Sequence, residues 1–176
     1  PEDIADAKLL SYSYTKHGTT RWPLHSERVE RYEDDSTRCV IKLFDLSRIN
    51  NTTMDADGNN GMAFDENGEP FPDTLIVSAD VLDHIKQLII KAQAWRFKDS
   101  YHPRVETMDG WSWGFSATFE LSPSVLASTP EADRPRLLRR GGRLLSSSGS
   151  NAVPDTELFK KVREYLEEIF EKEKDK

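Results

Sequence analysis

Apolar residues recur along this chain with two spacings, and each spacing predicts one type of secondary structure. The clearest alternation places five apolar residues at the odd positions of one segment: Trp111, Trp113, Phe115, Ala117 and Phe119. A period of two predicts a strand with one apolar face and one polar face. Shorter strand patterns occupy four further segments: 8–15, 28–32, 37–44 and 143–146. In the first of these, Leu10, Tyr12 and Tyr14 are expected to share the inner face.

Two other segments repeat apolar residues every three or four positions, which is the period of an amphipathic helix. The first spans about 79–94, after Ser78 as its expected N-cap. The second opens near Pro154 and runs toward the C-terminus; its apolar stripe consists of Leu158, Phe159, Val162, Tyr165, Leu166, Ile169 and Phe170. Strands joined by short turns, together with two such helices, predict an α+β fold in which an antiparallel sheet is packed by two amphipathic helices.

The length of 176 residues suits a single domain over 1–176. Four Trp, eight Phe and five Tyr supply large apolar side chains for a core, although hydrophobic residues make up only 36% of the chain. The polar excess gathers in two segments, 47–74 and 121–141, which are predicted to be polar loops. Apolar runs fall short of the roughly 18 residues that a membrane-spanning helix needs.

The charge balance of 24 Lys+Arg against 31 Asp+Glu gives a formal net charge of −7. This excess argues against nucleic acid as a nonspecific partner, because such binding depends on basic residues that neutralise phosphates. Five arginines nevertheless crowd one short segment: Arg134, Arg136, Arg139, Arg140 and Arg143. They predict either a basic patch for a phosphate or an acidic partner, or a solvated insert paired with Glu131 and Asp133.

The segment 55–66 has the oxygen ligands of a calcium loop at positions 1, 3, 5 and 12, which are Asp55, Asp57, Asn59 and Glu66. Asn60 stands where such loops have glycine, and neither flank has a helical pattern. The alternative is an ordinary turn rich in Asp, Asn and Gly. Apart from Ca²⁺ at this loop, no cofactor is expected.

A serine-rich segment is predicted to connect the strand at 143–146 with the last helix. Its backbone N–H groups, at the start of that helix, suit an anion or another small ligand. The alternative is that the same residues close the turn and cap the helix. The candidate residues are Ser147, Ser148, Ser150 and Asn151.

Motifs for nucleophilic, zinc or nucleotide chemistry are absent from the sequence. No G-x-S-x-G elbow, H-E-x-x-H helix, P-loop or G-x-G-x-x-G turn occurs. The four histidines are scattered, and the single cysteine, Cys39, excludes an internal disulfide. A hydrolase would need Ser148 or Ser150 within hydrogen-bond reach of a histidine.

The strand D-G-W-S-W-G-F-S-A-T-F at 109–119 and the segment S-S-S-G-S-N-A-V-P at 146–154 together resemble an uncharacterised group of bacterial proteins. In that group, a D-G-[YW]-S-W-x-F strand precedes an S-S-G-x-x-A-x-P segment and a last helix, and many members are lipoproteins or otherwise extracytoplasmic. The segment 121–141 departs from the group, which tends to have a tight turn there. The resemblance implies a location in the periplasm or at the cell surface, with a lipid anchor upstream of residue 1 where a member is a lipoprotein.

These observations favour a non-catalytic extracytoplasmic binding or interaction module of a bacterial protein. It would use the polar face of the sheet and the segment 146–151. The alternative is a hydrolase acting on small or glycan substrates through a serine or carboxylate site.

Overall fold

A computed structural model of the chain describes residues 4–19, 23–46, 73–103, 110–140 and 142–174. The strands of these segments are β1 (Leu9–His17), β2 (Pro23–Arg31), β3 (Arg38–Asp45), β4 (Asp73–Ser78), β5 (Ser100–Tyr101), β6 (Ser112–Glu120) and β7 (Gly142–Ser150). Within the described segments they form one open seven-stranded sheet in the order β4-β3-β2-β1-β6-β7-β5. Neighbours are antiparallel except β5, which runs parallel to β7.

The helices of the same segments are α1 (Asp80–Ala92), α2 (Pro123–Ser128), α3 (Arg134–Arg140) and α4 (Leu158–Lys174). Short 3₁₀ turns occupy Ala94–Arg96 and Glu131–Asp133. The two long helices, α1 and α4, are the two predicted amphipathic helices. The prediction of an α+β fold with an antiparallel sheet packed by helices is therefore confirmed, with two short helices added.

The prediction of a polar loop over 121–141 is wrong, because this segment contains α2 and α3. Ser122 caps α2 by accepting a hydrogen bond from the Val125 amide at 3.2 Å, and Pro123 stands in the first turn, where its missing N–H costs nothing. Val125 and Leu137 anchor the two helices in the core. Of the other predicted loop, residues 47–72 lie outside the described part of the chain, and Asp73 and Thr74 belong to β4.

The two faces of the sheet differ in composition. The face toward α1 and α4, which we call the covered face, contributes large side chains to the core, among them Tyr12, Val29, Ile41, Phe115 and Phe119. The opposite face, which we call the open face, has mostly serine, threonine and glycine along three of its strands, β1, β6 and β7. They are Ser11, Ser13, Thr15, Ser112, Gly114, Ser116, Thr118, Ser146, Ser148 and Ser150, and none of them is buried.

The covered face is stabilised mainly by apolar burial. Ile85 and Ile89 of α1 and Val162 and Leu166 of α4 are fully buried against it. At about 1.5–3 kcal/mol for each large apolar side chain removed from water, this layer is the main source of stability. Among the described helices, none is both long and apolar enough to cross a membrane.

Candidate functional site

The serine-rich segment is part of strand β7 and does not lie at a helix N-terminus. It pairs with β6 through Ser150, whereas α4 begins only at Leu158. The predicted anion site in front of the last helix is therefore wrong, because the backbone N–H groups of this segment belong to a sheet ladder. Asn151 follows the last residue of the strand with φ 55°, and its side-chain oxygen accepts a hydrogen bond from the Trp111 amide at 3.0 Å.

The period of two sends neighbouring serines of β7 to different faces. Ser147 lies on the covered face, is 3% exposed, and donates a hydrogen bond to the Lys98 carbonyl at 2.6 Å. Ser146, Ser148 and Ser150 lie on the open face. Ser147 thus has a structural role, and the other three serines are available to a ligand.

The open face is hollowed at the junction of β1, β6 and β7. Thr15, Gly114 and Ser148 lie side by side on the three strands, and Gly114 forms the floor. A Cβ added at Gly114 would meet no atom within 4 Å, so the space above it is empty. The depression has a volume of about 340 Å³, and its rim is completed by Ser13, Asp99, Ser116 and Ser146.

The depression offers neutral hydrogen-bonding groups. Among the described residues, the hydroxyls of Ser13, Thr15, Ser116, Ser146 and Ser148 make no hydrogen bond to another side chain. Each hydroxyl can both donate and accept. One exposed carboxylate, that of Asp99, adds an acceptor at the rim. The lining therefore suits a small ligand that carries several hydroxyl or amide groups.

In the described part of the chain, no histidine forms a hydrogen bond to a serine that could act as a catalytic nucleophile. His17 is paired with Ser112 across β1 and β6, and Ser112 is paired with Ser150 across β6 and β7. No hydrogen bond joins a histidine to either serine in the described segments. His17 is exposed and stands outside the lining of the depression. The His84 ring packs against Tyr165 instead, with ring centroids 4.1 Å apart and the planes tilted by 36°.

A second polar cluster, which the sequence reasoning missed, lies on the covered face. Glu27 is 3% exposed, and its Oε2 lies 3.2 Å from Nδ1 of His25, within hydrogen-bond distance. Arg163 of α4 lies 3.7 Å from the other Glu27 oxygen and donates to Asp45 at 2.8 Å and to Glu167 at 3.1 Å. These contacts connect α4 to β2 and β3, and we call them the α4 clamp.

The α4 clamp alters the titration of the groups around it. Tyr14 stacks on His25 and on Phe159, and burial together with the charge of Glu27 raises the pKa of Tyr14 to about 12. Burial alone would lower the pKa of Arg163, but the hydrogen bond to Glu167 and the charges of Glu27, Glu167 and Asp45 outweigh it and raise that pKa. The guanidinium of Arg163 thus faces three carboxylates, and the Glu27 Oε1 atom, 3.7 Å from Arg163 Nε, accepts no hydrogen bond within the described segments. The feature of the sequence that indicates the α4 clamp is the polar pair His25 and Glu27, which occupies inward positions of β2.

The predicted basic patch is on α3 and the start of β7. Arg134 and Arg136 are exposed, Arg139 and Arg140 occupy the end of α3, and Arg143 is half-buried in β7. Burial lowers the pKa of Arg143. Arg134 donates to the Thr129 carbonyl at 3.4 Å. The side chains of Arg139 and Arg140 lie outside the described part of the structure, so the alternative of a solvated insert partly paired with Glu131 and Asp133 stays a prediction.

The proposed calcium ligands Asp55, Asp57, Asn59 and Glu66 lie outside the described residues. Within the described segments, no group of three or more His, Cys, Asp or Glu side chains is arranged to hold a metal ion.

Cys39 is buried, and burial raises the pKa of its thiol to about 11, which keeps it protonated and unreactive at neutral pH.

Comparison with known proteins gives no relative: no family model matches the chain, and no curated protein and no solved structure is significantly similar to it.

Proposed function

We propose that this protein is a non-catalytic binding module and that the depression on its open face binds a small, hydroxyl-rich ligand of the size of a mono- or disaccharide. The observation that carries the proposal is the hollow above Gly114, of about 340 Å³, bordered by hydroxyls that have no side-chain partner among the described residues. That volume is at the lower end of the range of small-molecule sites.

The chemistry of the lining supports a neutral ligand. Serine and threonine hydroxyls match the mixed donor and acceptor pattern of a sugar, and the carboxylate of Asp99 can accept from a pair of neighbouring hydroxyls. The Phe115 side chain lies on the covered face, so the ligand would be held by hydrogen bonds rather than by stacking. Such a site binds weakly, because each hydrogen bond replaces one to water.

An extracytoplasmic location in a bacterium is part of the same proposal. It rests on the resemblance carried by the segments 109–119 and 146–154. Fractionation of the native producer with an antibody against this chain tests the location, and recovery in the cytosolic fraction would contradict it.

The binding site is tested by filling the hollow. Gly114→Val places a β-branched side chain above the floor, where there is room, without reaching the covered face. The matched control is Thr118→Val, on the same strand and face but outside the lining. Amide chemical shifts of the labelled protein are followed while a panel of neutral mono- and disaccharides is added.

We expect shift changes at Gly114 and Ser148 with at least one saccharide, affinity at least tenfold weaker in Gly114→Val, and little change in Thr118→Val. Shift changes located elsewhere, or a panel without any binder for the folded protein, would contradict the proposal. Conversion of a bound saccharide into products would instead identify the alternative, a hydrolase.

A further inference from the structure

The lining of the depression on the open face contains one charged residue, Asp99, which directly precedes β5. The other residues of the lining are serine, threonine, glycine and phenylalanine. Asp99 is held beside the floor of the depression because its carbonyl oxygen accepts a hydrogen bond from the Ser148 amide at 3.1 Å. The depression thus combines neutral hydroxyls with a single exposed carboxylate at its rim.

The surrounding cations do not neutralise this carboxylate. Among the described residues, the Asp99 side chain has no ion-pair or hydrogen-bond partner. The neighbouring Lys98 lies over the Tyr101 ring, with its Nζ 5.9 Å from the ring centroid. Arg28 lies on the open face of β2, outside the lining, and its Nε is 4.0 Å from the Glu30 carboxylate. The charge of Asp99 is therefore left to interact with a ligand.

A single carboxylate suits recognition better than hydrolysis. Glycoside hydrolysis uses a pair of carboxyl groups that flank the bond to be cleaved, and the described lining offers one. A carboxylate among hydroxyls instead attracts a protonated amine and repels another carboxylate. The net charge of −7 adds a weaker, long-range attraction for a cationic ligand.

We infer that Asp99 determines how the depression ranks saccharides by charge. An amino sugar binds more tightly than the neutral sugar of the same ring, and a uronic acid binds less tightly. This inference rests on the proposed function, because it takes the depression as the saccharide site, and it adds the ligand group that Asp99 receives. The serine and threonine hydroxyls bind the ring in all three cases, whereas the charge of Asp99 discriminates among them.

The test is a set of titrations at low salt and about pH 6, where amines are protonated and carboxyl groups are ionised. Glucose, galactose and mannose are each compared with the 2-amino sugar and the uronic acid of the same ring, and the amide shifts of Gly114 and Ser148 report binding. We expect Kd to be about threefold lower for the amino sugar and about threefold higher for the uronic acid, because an exposed ion pair contributes a factor of roughly 1.4 to 5. Added salt should reduce both differences.

A charge-removing variant and a matched control identify the residue responsible. Asp99→Asn keeps the shape of the side chain, and the three sugars of one ring should then differ in Kd by less than about twofold. Glu30→Gln removes an exposed carboxylate from the same face, outside the lining, and should leave the ranking unchanged. The amide spectrum of each variant checks that it is folded.

Two kinds of failure are distinguishable. Equal affinity for the three sugars of each ring, or a ranking that persists in Asp99→Asn, would overturn the inference and leave the saccharide site in place. Loss of the ranking in Glu30→Gln would also overturn it, because the general charge of the protein would then be responsible. A panel in which no sugar shifts Gly114 or Ser148 would overturn both the inference and the proposed function.

Discussion

On the ribbon formed by β6 and β7, Gly149 and Ser147 lie on the covered face, whereas Gly114 and Ser148 lie on the open face. A Cβ added at Gly149 would come within 2.6 Å of Trp113 Nε1 and 2.7 Å of the Ala152 carbonyl oxygen, while one at Gly114 would meet nothing within 4 Å. Ser147 is bonded to the Lys98 carbonyl at 2.6 Å, and Ser148 is exposed. Small residues therefore permit close packing on one face and leave a vacant hollow on the other.

The largest expected difference between the faces concerns the two glycines. Gly149→Ala should lower the free energy of unfolding by about 2–3 kcal/mol, because the new methyl group overlaps backbone and the Trp113 ring. Gly114→Ala should raise it by up to about 1 kcal/mol, since alanine restricts the unfolded chain and has room in the folded one. Urea denaturation measures both, and changes of the same sign in the two variants would contradict the contrast.

The α4 clamp is the polar part of the covered face, and breaking it should cost nearly as much. Arg163→Met leaves the buried Glu27 carboxylate facing an apolar side chain, so we expect a loss of about 2 kcal/mol. This value is below that typical of fully buried pairs because the Arg163 side chain is 35% exposed. Lys161→Met, on the same helix but exposed, is the control and should change stability by less than about 0.5 kcal/mol. Equal stability of both variants would show that the clamp is not important.

Alkaline pH should weaken the covered face selectively. The pKa of Tyr14 is raised to about 12 and that of Cys39 to about 11, so both are neutral in the fold above the pH at which they ionise in the unfolded chain. The contribution of these two groups to the free energy of unfolding is complete below pH 9 and is lost as pH rises through 11 to 12. For Tyr14 we expect this loss to be about 1–2 kcal/mol.

Urea denaturation between pH 8 and pH 12 follows this loss. Tyr14→Phe should reduce the pH dependence, and Cys39→Ala should remove the part that begins near pH 9. A stability that does not change over this range would refute the assignment.

The smallest contrast is between the two serines. Ser147→Ala leaves the Lys98 carbonyl without its partner in a partly buried position and should lower the free energy of unfolding by about 1 kcal/mol. Ser148→Ala should change it by less than about 0.5 kcal/mol. The same denaturation experiment measures both, and a larger loss in Ser148→Ala would reverse our assignment of the two faces.

The sequence predicted the covered face well wherever a long apolar pattern existed. The alternation over 111–119 placed Trp113, Phe115, Ala117 and Phe119 on one face, and all four are buried. In β1, the prediction that Leu10 lies on the inner face is wrong, and Leu9 is buried instead. The reason is that the register of the pairing with β6 shifts between Leu9 and Ser11. A bulge of this kind depends on the pairing with β6, which a local pattern does not contain.

The open face and the clamp were harder to predict because they depend on long-range partners. Ser146–Ser150 has weak strand propensity and resembled a turn, but pairing with β6 along its whole length makes it a strand. Glu27 and Arg163 come from distant strands and helices, and nothing local to either residue identifies the other. The run of serines is thus visible in the sequence as a candidate segment. The face of the sheet that each serine occupies, however, depends on its pairing with β6.

The order of the strands has a consequence for synthesis of the chain. β1 lies inside the sheet between β2 and β6, although it precedes the other six described strands in the chain. A meander of β1 to β4 is available once Ser78 has been made, but the second edge of β1 stays unpaired until β6, starting at Ser112, emerges. Closure of this distant pair should limit the folding rate, and until then the nascent chain exposes the edge that contains Tyr12 and Tyr14 to aggregation.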